Sequence, residues 1–154
     1  NKVKSKGAYV KKLSIIDNDL PIVNKAIKER LINDIDIETT INSCNNLIDF
    51  QKCVKITGKY SHAVYGMEDI SLKVLRVFAS KSSLDNPIMK MKSDNKLEKI
   101  SYTPDRVFID NSNIIGKEVP QKLDKSWYIA LAKERLESFV SEYKFTLFDY
   151  LNLI

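Results

Sequence analysis

Residues 72–80 read LKVLRVFAS, a short run of β-branched, aliphatic and aromatic residues that suits a strand. CVKIT (53–57), SHAVYG (61–66), PIMKMK (87–92) and RVFID (106–110) have the same character. The turn-forming stretches SSLDNP (82–87) and KSDNK (92–96) separate several of them. Residues 52–110 are therefore expected to form a small antiparallel sheet or a set of hairpins, with order and register left open.

Both flanks read differently. On the N-terminal side, Asp19 fits a helix N-cap and Pro21 a first helical turn, where its missing N–H costs nothing. Ile22, Val23, Ala26, Ile27 and Leu31 then form a helical stripe through about residue 33. Further short helices are expected over Ile37–Ser43 and Asn46–Gln51. Upstream, KVKSKGAYV (2–10) alternates, so a strand there places Lys2, Lys4 and Lys6 on one face, with Gly7 marking a bulge or a close backbone approach. On the C-terminal side, Asp124 is expected to cap a helix running to about Tyr143, with Ile129, Ala132, Leu136, Phe139 and Val140 on one face. Lys133 and Glu137, four apart, suit a minor surface pair. The apolar tail FTLFDYLNLI (145–154) reads as a separate helix or strand packing back on the core. The expectation is one α+β domain over residues 1–154: short helices, a small antiparallel sheet in the middle and a long amphipathic C-terminal helix.

Hydrophobic residues make up 44% of the 154-residue chain and charged residues 29%, as in ordinary globular domains with a true core. No apolar run approaches the roughly 20 residues needed to cross a bilayer, so a soluble, cytoplasmic protein with no membrane partner is expected. The chain opens on Asn1, directly in a patterned segment, which suggests a fragment of a larger protein. The net charge of +5 is compatible with polyanion binding without being diagnostic of it. Its distribution says more. Lys2, Lys4, Lys6, Lys11 and Lys12 precede any acidic residue, and Lys52, Lys55, Lys59, Lys73, Arg76 and Lys81 recur along the middle.

Catalytic constellations are scarce. His62 is the single histidine, so a two-histidine metal site is ruled out, and its setting between Tyr60 and Tyr65 favours a structural role. Cys44 and Cys53 lack a metal-binding spacing or a basic partner, and read as reduced core thiols. The four glycines are isolated, which excludes a P-loop and a dinucleotide fingerprint. Asp105 and Asp110, with Glu98 and Lys99 upstream, are the one arrangement that a metal-dependent nuclease could use. Their spacing of five puts them on opposite faces of a strand, which argues against that alternative.

A backbone-tracking nucleic-acid surface fits the pattern better. KITGKY supplies Lys55, Thr57, Gly58, Lys59 and Tyr60, and RVFASK supplies Arg76, Ser80 and Lys81. Lysines neutralise phosphates, while small hydroxyl residues and backbone N–H groups permit close approach. If 55–59 is one strand, Lys55, Thr57 and Lys59 share a face. An ordinary solvated lysine face is the competing reading.

Three stretches resemble the thumb of family B DNA polymerases. KVKSKGAYVKK (2–12) resembles the lysine-rich strand that follows the family's lysine-tyrosine DNA-binding motif. NDLPIVNKAIKERLIND, DIETTI and LIDFQKCVKITGKY stand where the family has its Asp-Pro helix start and the segments after it. LDKSWYIALAKERLESFV (123–140) resembles the thumb motif in which Asp, two aromatics and Ile precede an Arg-containing helix, here Asp124, Trp127, Tyr128, Ile129 and Arg135. Order and approximate spacing agree across two thirds of the chain. The stretch from Tyr60 to Pro120 departs from the cellular pattern and is more similar to polymerases of phages and mobile elements.

The resemblance implies a sequence-independent grip on primer–template duplex DNA during replication. The chain itself is then non-catalytic and needs no cofactor. The Mg²⁺-binding aspartates would lie in an upstream palm, a partner within the same polypeptide together with the fingers. Lys2, Lys4, Lys6 and Gly7 follow from the matched motif as DNA contacts. Lys59, Tyr60, Arg76 and Lys81 follow from pattern alone, and Trp127, Tyr128 and Arg135 are expected to be packing residues. A stand-alone metal-dependent nuclease, or a nucleic-acid-binding module of a mobile element, is the alternative.

Overall fold

The structure, a computed structural model, describes residues 20–100 and 103–152. The lysine-rich stretch with Lys2, Lys4, Lys6 and Gly7 and the Asp19 cap position lie outside the described residues. The fold is mixed α+β, and the described residues divide into two compact units: 20–44 with 125–152, and 45–124.

The first unit is helical where described. Helix α1 (Pro21–Asn33) starts with Pro21 directly after Leu20, which holds the N-cap position. It buries Ile22, Val23, Ala26 and Ile27. It stops at Asp34, whose left-handed φ of 56° breaks the helical path while Arg30 Nη1 pairs with its carboxylate at 2.5 Å. Helix α2 (Ile37–Ser43) buries Ile37, Thr40 and Ile41, a three-four spacing that makes one apolar face. Helix α3 (Lys125–Asn152) begins directly after Asp124, as expected. It then continues through the tail read as a separate element, because nothing between Tyr143 and Asn152 breaks a helix. Over residues 125–141 it buries Tyr128, Ala132 and Phe139, with Ile129, Leu136 and Val140 half-buried. Each of the three helices packs on the other two. The anticipated Lys133–Glu137 pair is replaced by a bridge from Lys133 to Glu38 of α2, at 2.6 Å. That ion pair holds the Lys133 ammonium above its usual value.

Among the described residues, the β structure lies in the second unit. A single 3-10 turn (Leu47–Phe50) stands where a third helix is expected, its start capped by Asn46 Oδ1 accepting from the Ile48 N–H at 3.3 Å. Seven strands follow: β1 (Lys52–Lys55), β2 (Tyr60–Tyr65), β3 (Glu68–Ile70), β4 (Val74–Ala79), β5 (Ile88–Lys92), β6 (Leu97–Lys99) and β7 (Val107–Ile109). They form two antiparallel sheets, one ordered β1-β4-β7 and the other β3-β2-β5-β6. LKVLRVFAS supplies the central strand of the first sheet. Strands β3 and β6 are three residues each, too short to stand out in the sequence.

Val54, Leu75, Val77 and Val107 of the first sheet and Ala63 and Ile88 of the second share one core with Ile56 and Ile100. Beyond that core, Phe78 and Phe108 stack with centroids 5.1 Å apart, and Lys122 Nζ lies 4.4 Å from the Phe108 centroid. Tyr65 joins the sheets: from β2, its hydroxyl donates to the Val107 carbonyl of β7 and to Asp85 Oδ1, each at 3.0 Å. Burial and the Asp85 hydrogen bond push the Tyr65 phenol up to about 12.

Candidate nucleic-acid interface

The second unit places Lys59 and Tyr60 at the start of β2. Strand β1 ends at Lys55, so Lys55, Thr57 and Lys59 do not alternate along one strand as the sequence suggests. Thr57–Lys59 instead form a turn in which Gly58 takes φ +69°, a conformation that favours glycine. No atom lies near the position a Gly58 Cβ would occupy, so conformation rather than space selects glycine there.

A bulge between Tyr60 and His62 sets the faces of β2. Tyr60 is opposite Lys92, and Ala63 is opposite Lys90, which in turn is opposite Glu98. Tyr60, Lys90, Lys92 and Glu98 thus share the face that is apolar at Ala63 and Ile88, and turn its end polar. Lys90 Nζ lies 4.8 Å from the Tyr60 centroid, and Lys59 Nζ lies 5.7 Å from it. The Tyr60 hydroxyl donates to Glu98, which also pairs with Lys92 at 3.2 Å. The Tyr60 and Lys92 hydrogen bonds hold the Glu98 carboxyl below its usual value, and the bond to Glu98 raises the Tyr60 phenol. Lys59 and Lys90 form no ion pair among the described residues. Lys90 and Lys92 escaped the sequence reading, although the K-x-K spacing in PIMKMK puts both on one strand face.

Beside Tyr60 lies an open cleft of about 370 Å³, lined by Ile56, Thr57, Gly58, Tyr60, Ser61, Ser71, Leu72 and Lys73. Ile56 is buried, while Thr57, Ser61, Ser71, Leu72 and Lys73 are exposed around it.

Arg76 lies on β4 of the other sheet, and Lys81 follows that strand. Arg76 Nη1 donates to the Ser112 carbonyl at 3.0 Å, and Asn111 Oδ1 accepts from the Arg76 N–H at 2.9 Å, so this residue anchors the loop after β7. Lys81 is exposed just past β4, and its N–H donates to the Lys122 carbonyl at 2.7 Å. Of the four residues expected from pattern, Lys59 and Tyr60 are thus brought together, while Arg76 and Lys81 have separate partners by the other sheet.

The remaining chemistry-bearing residues are tied to other partners. His62 Nε2 is 3.2 Å from Asp69, and its Nδ1 is 3.1 Å from Ser61 Oγ. Asp105 pairs with Lys99, which lowers its carboxyl from the usual value. Asp110 binds Lys117 at 3.0 Å and accepts from Ser112. Burial pushes the Asp110 carboxyl up, but the Ser112 and Lys117 contacts outweigh it and the net direction is down. Cys44 and Cys53 are half-buried rather than deep in the core. Among the described residues, no group of three His, Cys, Asp or Glu side chains is placed to hold a metal, and no helix is long and apolar enough to cross a membrane. No family model, curated protein or solved structure matches the chain.

Proposed function

We propose that the chain is a non-catalytic, DNA-gripping segment, the thumb-like region of a family B DNA polymerase of phage or mobile-element type. Lys59 and Lys90 carry this reading: two lysines with no ion pair among the described residues lie against a tyrosine whose hydroxyl is bound by Glu98. Such a group offers charge to phosphates without reading base edges, as a sequence-independent grip requires. The exposed hydroxyls of Thr57, Ser61 and Ser71 beside it suit close approach of a backbone. The ordered likeness of both ends of the chain to the polymerase thumb supplies the larger context, in which metal ions and chemistry belong to the palm. Asp105 and Asp110, the acids a nuclease would use, each have a lysine partner of their own.

Fluorescence anisotropy with two labelled duplexes of unrelated sequence tests the proposal. The full chain should bind both with similar affinity. A strong preference for one, or no binding to either at low ionic strength, contradicts it.

A further inference from the structure

We infer that the cleft beside Tyr60 seats one unpaired nucleotide, its base against Tyr60 and Leu72 and its phosphate toward Lys59 or Lys73. The inference deepens the DNA-binding reading and rests on it for the choice of nucleic acid as ligand.

Size is the first argument. About 370 Å³ falls at the small end of clefts that hold small ligands, and is too little for a paired duplex step. The second argument is chemical division. Ile56 and Leu72 give an apolar wall, and Leu72 keeps 51% of its surface exposed and available for contact. Thr57, Ser61 and Ser71 also line the cleft and supply hydroxyl donors and acceptors, as a base edge or a sugar requires. Charge is the third. Lys73 lines the cleft and Lys59 Nζ lies 5.7 Å from the Tyr60 centroid at its edge; both are exposed and form no ion pair among the described residues, while no acidic residue lines the cleft.

The fourth argument is preorganisation. The Tyr60 ring is already held by its hydrogen bond to Glu98 and by Lys90, so a base stacking on it meets a platform that loses little further freedom. Glycine at position 58, with open space around its Cα, lets a strand approach the rim closely. Stacking tolerates every base, so the seat is expected to be indifferent to sequence.

The test compares three labelled probes on the full chain: a blunt duplex, the same duplex with a short single-stranded overhang, and that overhang made abasic. The overhang should tighten binding by about fivefold or more, the lower end of what one stacked base contributes. The abasic overhang should bind like the blunt duplex. Leu72→Ala, which removes the apolar wall and leaves the lysines and hydroxyls in place, should erase the overhang's advantage and leave blunt-duplex binding unchanged. Equal binding of blunt and overhang probes overturns the inference but leaves the duplex grip standing, as does an abasic overhang that keeps the full gain. Overhang-dependent binding with no binding to blunt duplex supports the seat and contradicts the duplex grip. Loss of binding to all three probes contradicts both.

Discussion

Lys90 Nζ lies 4.8 Å from the centroid of the Tyr60 ring, and strand register places the two residues on one face of the β3-β2-β5-β6 sheet. The Tyr60 hydroxyl is tied to Glu98 on the same face, so ring, cation and carboxylate form one unit. Tyr60→Phe keeps the ring and removes the hydroxyl. The Glu98 carboxyl should then titrate closer to its ordinary value, because its largest lowering influence is gone. An NMR pH titration of Glu98 in both proteins checks this.

The Tyr65 phenol is held against ionisation. Its phenol is pushed from 10.0 to about 12, chiefly by burial and then by Asp85. A folded-state value above the unfolded one means that the contribution is fully present below about pH 10 and is lost as pH rises toward 12. Alkaline denaturation should therefore steepen over that window. Tyr65→Phe should cost about 1–2 kcal/mol at neutral pH, from hydrogen bonds to Asp85 and Val107 left without a donor. It should also flatten the alkaline limb. Chemical denaturation at neutral and alkaline pH reads both effects.

Asp110 has the opposite sign. Its lowered carboxyl contributes stability that is present above the ordinary carboxylate value and lost as pH falls through the lowered one. Asp110→Asn should weaken the acid dependence of unfolding and loosen the loop that Lys117, Ser112 and Arg76 hold. Amide exchange across residues 111–117 should quicken, while exchange in β2 and β5 stays as it was.

Phe78 is fully buried and stacked on Phe108, whereas Met67 at the β2–β3 turn is fully exposed. Phe78→Ala should cost about 3–5 kcal/mol, the usual consequence of emptying an aromatic core site. Met67→Ala should stay within about 0.5 kcal/mol of the parent. Urea midpoints of the two variants, compared at equal slopes, decide this.

Periodicity made some elements legible and tertiary pairing hid others. Ile37–Ser43 is readable because Ile37, Thr40 and Ile41 mark one helical face within seven residues. The strand in LKVLRVFAS is readable for its β-branched and aromatic content. Partnership is not: Arg76 finds Ser112 and Lys133 finds Glu38, at separations of 36 and 95 residues that no local pattern encodes. Continuous alternation across KITGKY was misleading because Gly58 turns the chain, which moves Lys59 off the strand that carries Lys55. Lys90 enters the candidate site only through its register with Ala63 and Glu98, a relation between three strands.

The salt dependence of duplex binding tests the central claim most directly. For the full chain, log affinity should fall linearly and steeply with log salt concentration. Lys59→Glu combined with Lys90→Glu should weaken binding at low salt and make the slope shallower by about 2, close to one per phosphate contact removed. An unchanged slope and affinity in that double variant would contradict the assignment of the Tyr60 face as the DNA grip.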